Sequence, residues 1–148
     1  MARTLSLDYG DKRIGVALSD PTGLLASPLT TITRSNLRKD LDTIMGMVTE
    51  HEVEAIVVGL PVSLNGTIGS QGQRTLDFCD VLKEASPVPI HMCNEQFTSA
   101  EAERRIRESG GEPSKDRARV DAVAAAIILQ EWLDAARPPV THDEPPLA

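Results

Sequence analysis

The stretch "LSLDYGDKRIGVALSD", Leu5 to Asp20, decides how the rest of the chain is read. Two short apolar runs flank a polar turn containing Gly10, a pattern that predicts a β-hairpin. Asp8 closes the first run. A carboxylate there is either turn punctuation beside Gly10 or a group held at a strand end for chemistry.

Outward from the hairpin, "DPTG" predicts a turn, and "GLLASPLTTIT" after it a third strand. Ser35 or Asn36 can cap a helix whose apolar positions Leu37, Leu41, Ile44, Met45 and Val48 follow helical spacing. "EAIVVGLP" predicts a buried strand. The loop "VSLNGTIGSQGQ" leads to a helix around Thr75 to Ala85, and "PVPIHMCNE" predicts the next strand. Thr98 and Glu101 have capping-box spacing for a helix through about Glu108. "SGGEP" breaks it, and Pro113 suits the first turn of a last helix reaching Ala136. Residues 1–136 are expected to form a single domain and 137–148, "RPPVTHDEPPLA", a flexible tail. The order predicts an α/β fold, with an antiparallel meander first and parallel strands added through helical crossovers.

Composition narrows the class. Among 148 residues, 41% are hydrophobic and 25% charged, as in ordinary globular domains. No apolar run reaches the ~20 residues of a membrane span, and the N-terminus lacks a signal-peptide core. Cys79 and Cys93 form no metal-ligand spacing and are expected to be reduced, in a cytoplasmic protein. There is no GxGxxG for a dinucleotide. The net charge of −7 disfavours phosphate contacts on average, yet Arg104 to Arg119 holds six basic residues against three acidic ones. That patch is either a nucleic-acid surface or a solvated helix face with salt bridges.

Three acids stand out. Asp8 and Glu95 each end a strand, and Asp121 interrupts an apolar helical face containing Ala118, Ala125, Ile128 and Trp132. Buried carboxylates need a partner or a cation. Hard oxygen ligands of this kind suit Mg²⁺ or Mn²⁺, and a pair of such ions about 3.5–4 Å apart can cleave a phosphodiester.

These motifs make the chain resemble the YqgF/RuvX-like family of Holliday-junction resolvase-like proteins and pre-16S rRNA nucleases, from about Leu5 to Leu133. The resemblance rests on "LDYGDKRIGVALSD", "VVGLP" with "NGTIG", "NEQFTSAEAE" and "VDAVAAAIILQEWL", in that order. It implies a ribonuclease H-like fold with a mixed five-stranded sheet flanked by helices. It also implies a divalent-metal-dependent nuclease in which Asp8, Glu95 and Asp121 are catalytic metal ligands and Arg13 lies near the scissile phosphate. Gly59 and Pro61 match the family's loop beside the site. The third motif departs from the family pattern Asp-Glu-Arg-Leu-Thr, with Asn94, Gln96 and Phe97 around Glu95. Lys12, Arg104, Arg105, Arg107, Lys115, Arg117 and Arg119 would bind the nucleic acid backbone. Aromatic residues are only 3%, which leaves little for base stacking. The expected partners are structured RNA such as an rRNA precursor, branched DNA and a ribosomal subunit, with no membrane, for a monomer or homodimer. The competing reading is a non-catalytic nucleic-acid-binding or ribosome-assembly module on the same fold.

Overall fold

The computed structural model describes residues 3–63, 65–95 and 98–136. In chain order the elements are β1 (Arg3–Tyr9), β2 (Arg13–Ser19), β3 (Ala26–Thr33), α1 (Leu37–Glu50), β4 (Val53–Pro61), α2 (Ser70–Ala85), β5 (Ile90–Glu95), α3 (Thr98–Glu108) and α4 (Arg117–Ala136). One five-stranded sheet has the order β3-β2-β1-β4-β5. The first three strands form the expected antiparallel meander. β4 and β5 enter by crossovers through α1 and α2 and pair parallel, β4 lying against β1. The expected tail lies outside the described residues.

Strand alternation sorts the side chains into two layers. Leu5 and Leu7 of β1, with Ile56 and Val58 of β4, meet Ile44 and Val48 of α1 and Phe78 and Leu82 of α2. On the opposite face, Ala17 and Val57 pack against Ala125, Ile128 and Leu129 of α4. The outer side of α4 is covered in turn by Ala102 and Ile106 of α3, against Val120, Ala124 and Ile127. A helix enclosed on both sides is apolar nearly all round, which explains its run of alanines and isoleucines.

α4 sits very close to the sheet. Ser6 Oγ donates to the Ala125 carbonyl at 2.7 Å. A Cβ on Gly15 would collide with the carbonyl oxygen of Asp121. Gly15 is also the residue paired across the hairpin with Asp8. The missing side chain in β2 therefore seats Asp121 over the strand beside the one that carries Asp8.

Three element boundaries differ from the sequence reading. α2 starts at Ser70, well before Thr75, because its first turn is tied to the hairpin: Gln71 Nε2 donates to the Tyr9 carbonyl at 2.9 Å. That tertiary contact outweighs the poor helix propensity of Gly72. α4 starts at Arg117 rather than near Pro113. Residues 113–116 form a separate turn, and the Asp116 carbonyl accepts from Val120 N at 3.1 Å as the helix begins. β3 starts at Ala26, leaving Leu24 and Leu25 exposed in a turn whose amides are bonded by Asp20 Oδ1 at 2.9 and 3.1 Å. Pro28 is tolerated because β3 is an edge strand and its pairing shifts register between Val16 and Ala17. Asn36 is the cap of α1, accepting from Lys39 N.

Two glycine substitutions should separate packing from propensity. Gly15→Ala should cost about 1–3 kcal/mol, because two backbones must part. Gly46→Ala, within α1 and facing open space, should stabilise by about 0.5–1 kcal/mol. Thermal melts of the two variants should move in opposite directions, and a Gly15→Ala melt equal to wild type would contradict the described seating of α4.

Candidate functional site

The carboxyl ends of β1, β4 and β5 form one edge of the sheet, the edge where open α/β sheets place their sites. Asp8 is the penultimate residue of β1, and Glu95 ends β5, paired with Pro61 at the end of β4. Asp121 lies early in α4. The sequence reading expected these three acids to converge; Glu95 and Asp121 both act on Asp8 electrostatically. Asp8 is pushed from 3.8 up to about 8, first by burial and then by the negative charges of Glu95 and Asp121. Glu95 is also raised, chiefly by burial, although a hydrogen bond from the Thr98 hydroxyl opposes the shift and the charge of Glu131 adds to it. Glu95 Oε2 is buried with no hydrogen-bond partner. A Cβ on Gly59 would stand 3.0 Å from that oxygen, so the glycine gives the carboxylate its room.

Asp121 differs from the other two. Its Oδ2 accepts from Arg13 Nε at 2.7 Å, with both side chains partly buried. Such a charge-assisted bond fixes the guanidinium plane and leaves its two Nη groups for another acceptor. Among the described residues, no three His, Cys, Asp or Glu side chains close up as a metal cage. The donor chemistry nonetheless fits a hard divalent cation. Asp8 and Glu95 offer oxygen ligands with no cationic partner among the described residues, and one of those oxygens is orphaned.

The turn between β1 and β2 is braced from three sides. Arg34 at the end of β3 donates through Nη1 to the carbonyls of Gly10 and Asp11, both at 2.9 Å, and through its backbone N–H to Lys12. Its guanidinium lies 4.5 Å over the ring of Tyr9, which stacks on Phe78 with centroids 4.1 Å apart. Gln71 holds the Tyr9 carbonyl, and Arg74 approaches Asp11 at 3.4 Å. An open cleft of about 360 Å³ remains, lined by Gly10, Asp11, Lys12, Arg13 and Asp121. Sequence reading missed Arg34, Gln71, Thr98 as a partner of Glu95, and Glu131. Only Thr98 carried a signal, its position three residues after Glu95; the others meet the site through tertiary packing.

A sequence model of the RuvX family, described as a Holliday junction resolvase, matches residues 2–135. The chain belongs to the RuvX family. Relatives named "Putative pre-16S rRNA nuclease" include one from Roseiflexus sp., 45% identical over 91% of this chain and 96% of the relative. Another, from Synechococcus elongatus, is 44% identical over 91% of each. Among solved structures, Thermus thermophilus RuvC in complex with a Holliday junction substrate superimposes with a TM-score of 0.56 at 16% identity, over 90% of this chain and 94% of RuvC. Fowlpox virus resolvase with its junction DNA gives 0.54 at 10% identity, over 90% and 97%. At such identities these likenesses establish the ribonuclease H-like resolvase fold.

The basic segment of this RuvX chain is more self-contained than its sequence suggests. Arg104 pairs with Glu101 and Glu108, Arg105 with Glu101, and Lys115 with Glu112. Glu103 serves both Arg107 and Arg117. Of the six, Arg119 has no acidic side chain in an ion pair with it, and its Nη2 reaches Ser109 Oγ at 3.4 Å. Lys12 in the turn is exposed and likewise has no ion-pair partner among the described residues.

The raised Asp8 sets a pH dependence for the metal-free protein. Between about 3.8 and about 8 the folded chain keeps a proton that the unfolded chain releases, so stability falls as pH rises through that window. In EDTA, wild-type Tm should decline from pH 5 to pH 8 relative to Asp8→Asn. The gap should be roughly 2–4 °C for each kcal/mol of relieved strain. Melting curves that stay parallel across that range would contradict the burial of a charged Asp8.

Proposed function

We propose that this chain is a divalent-metal-dependent nuclease that hydrolyses phosphodiester bonds in structured nucleic acid, with the 5′ end of the small-subunit rRNA precursor as its main substrate. One observation carries the reading: two cation-starved carboxylates, one with a buried and unpartnered oxygen, share a strand edge with a guanidinium already oriented by a third acid. The family membership and the names of its relatives supply the substrate class.

Asp8 and Glu95 would hold the ion, Mg²⁺ or Mn²⁺. When bound, such an ion polarises a phosphoryl oxygen and activates water. The chain does the rest. Asp121 orients Arg13, which lines the cleft that would receive the phosphate, where its Nη groups could stabilise developing negative charge. The braced turn keeps Asp8, Gly10 and Arg13 in fixed relation, so the phosphate meets groups already in position. Of the candidate backbone-binding residues, Lys12 and Arg119 have no ion pair among the described residues and would hold the flanking backbone, while Arg104, Arg105, Arg107, Lys115 and Arg117 would contribute by exchanging ion-pair partners. Backbone contacts of this kind give affinity that depends on salt and reads sequence weakly. A protein working on rRNA precursors would act in the cytoplasm, near the ribosomal subunit.

The test is cleavage of a labelled small-subunit rRNA precursor in Mg²⁺ and in Mn²⁺, with a four-way DNA junction in parallel. Wild type should cut the precursor, and Asp8→Asn and Glu95→Gln should each lose activity by at least about 100-fold. Faster cutting of the junction would move the substrate from RNA to branched DNA. Binding of precursor with no cutting in either metal would favour the assembly module.

A further inference from the structure

The geometry points to Arg13 as the site's second positive centre, so that the centre takes a single divalent ion, on Asp8 and Glu95, where the sequence pattern suggested a pair. The inference rests on the reading of Asp8 and Glu95 as ion-holding residues, and goes beyond it in assigning ion number and the role of Asp121.

The first support is the forced nature of the Arg13–Asp121 contact. Arg13 opens β2, is paired with Thr33, and has its carbonyl bonded by Gly10 N at 2.9 Å. Asp121 is seated over the same strand because Gly15 offers no side chain to its backbone. Two backbones fixed by sheet pairing and helix packing thus deliver the guanidinium to the carboxylate. This is unlike a surface ion pair between two long, freely rotating side chains. The 2.7 Å bond is the product of that seating.

The second support is the contrast among the three acids. Asp8 and Glu95 have no cationic partner among the described residues, whereas Asp121 already has one. A divalent ion approaching Asp121 would meet a fixed positive charge within hydrogen-bond distance of the carboxylate it sought. Ions on Asp8 and Glu95 meet no such opposition.

Asp121 is on this account a positioning residue, and its partner is the guanidinium. The experiment is direct titration of the intact protein, free of nucleic acid, with Mn²⁺, counting bound ions by calorimetry and by the loss of the free-ion electron-spin signal. Wild type should take one ion per chain, and Asp8→Asn should lose it. Arg13→Gln, confirmed as folded by circular dichroism, should take a second ion, while Arg13→Lys, which keeps the charge, should stay at one. Two ions on the wild type would overturn the inference and leave the nuclease reading standing; that count needs no variant to fold. A single ion on folded Arg13→Gln would overturn it equally. No ion on the wild type, or one that Asp8→Asn retains, would instead strike down the reading of Asp8 and Glu95 themselves, and this inference with it.

Discussion

The close approach of α4 to the sheet governs the rest of the structure. Ser6 reaches a main-chain carbonyl of the helix, and Gly15 lets another lie directly on β2. A larger residue in either strand would lift the helix, because packed interiors have little slack to absorb a side chain. The lift would carry Asp121 away from Arg13 and loosen α3, which has α4 as its main support. Contact this close also explains why the helix spends alanines where leucines would bury more surface: Ala122, Ala124, Ala125 and Ala126 are all buried.

A second tension is electrostatic. The fold half-buries three acidic groups at one sheet edge and, among the described residues, pairs a cation with Asp121 alone, which leaves Asp8 ionised with difficulty. Buried, unsatisfied charge is among the costliest features a domain can retain. The bracing of the hairpin turn by Arg34, Gln71 and the Tyr9–Phe78 stack is the structural counterpart of that cost.

Much of this was legible in the chain. The hairpin, the buried strand of β4, the cap of α1 and the carboxyl-edge positions of Asp8 and Glu95 all follow from local pattern, because alternation, turn chemistry and capping are local properties. The four spaced motifs carried the family and, with it, the fold. What stayed hidden depends on residues distant in sequence. The early start of α2 is set by Tyr9, sixty-two positions before Gln71. The engagement of Asp121 by Arg13 spans 108 positions, and no spacing rule reports which of three acids a guanidinium will choose. The described residues build one sheet with helices on both faces. The basic segment was readable as a charge excess with a salt-bridged helix face as one of its two readings, but the individual partners were not, since Glu101 and Glu103 lie before the stretch in which the excess was counted.

Those ion pairs change what the arginines of α3 can give to a ligand. A phosphate arriving at Arg104 or Arg107 does not find a bare cation; it must displace Glu101, Glu108 or Glu103 first. Each contact is then an exchange reaction, whose yield is the difference between a phosphate partner and a carboxylate partner, with the evicted glutamate repelling the newcomer until it turns into solvent. For a nucleic acid bound there, the segment would act as a reserve of charge, on which a dense polyanion would draw more than a short strand. Selectivity for folded, highly charged nucleic acid can arise this way from a surface that is close to neutral on its own.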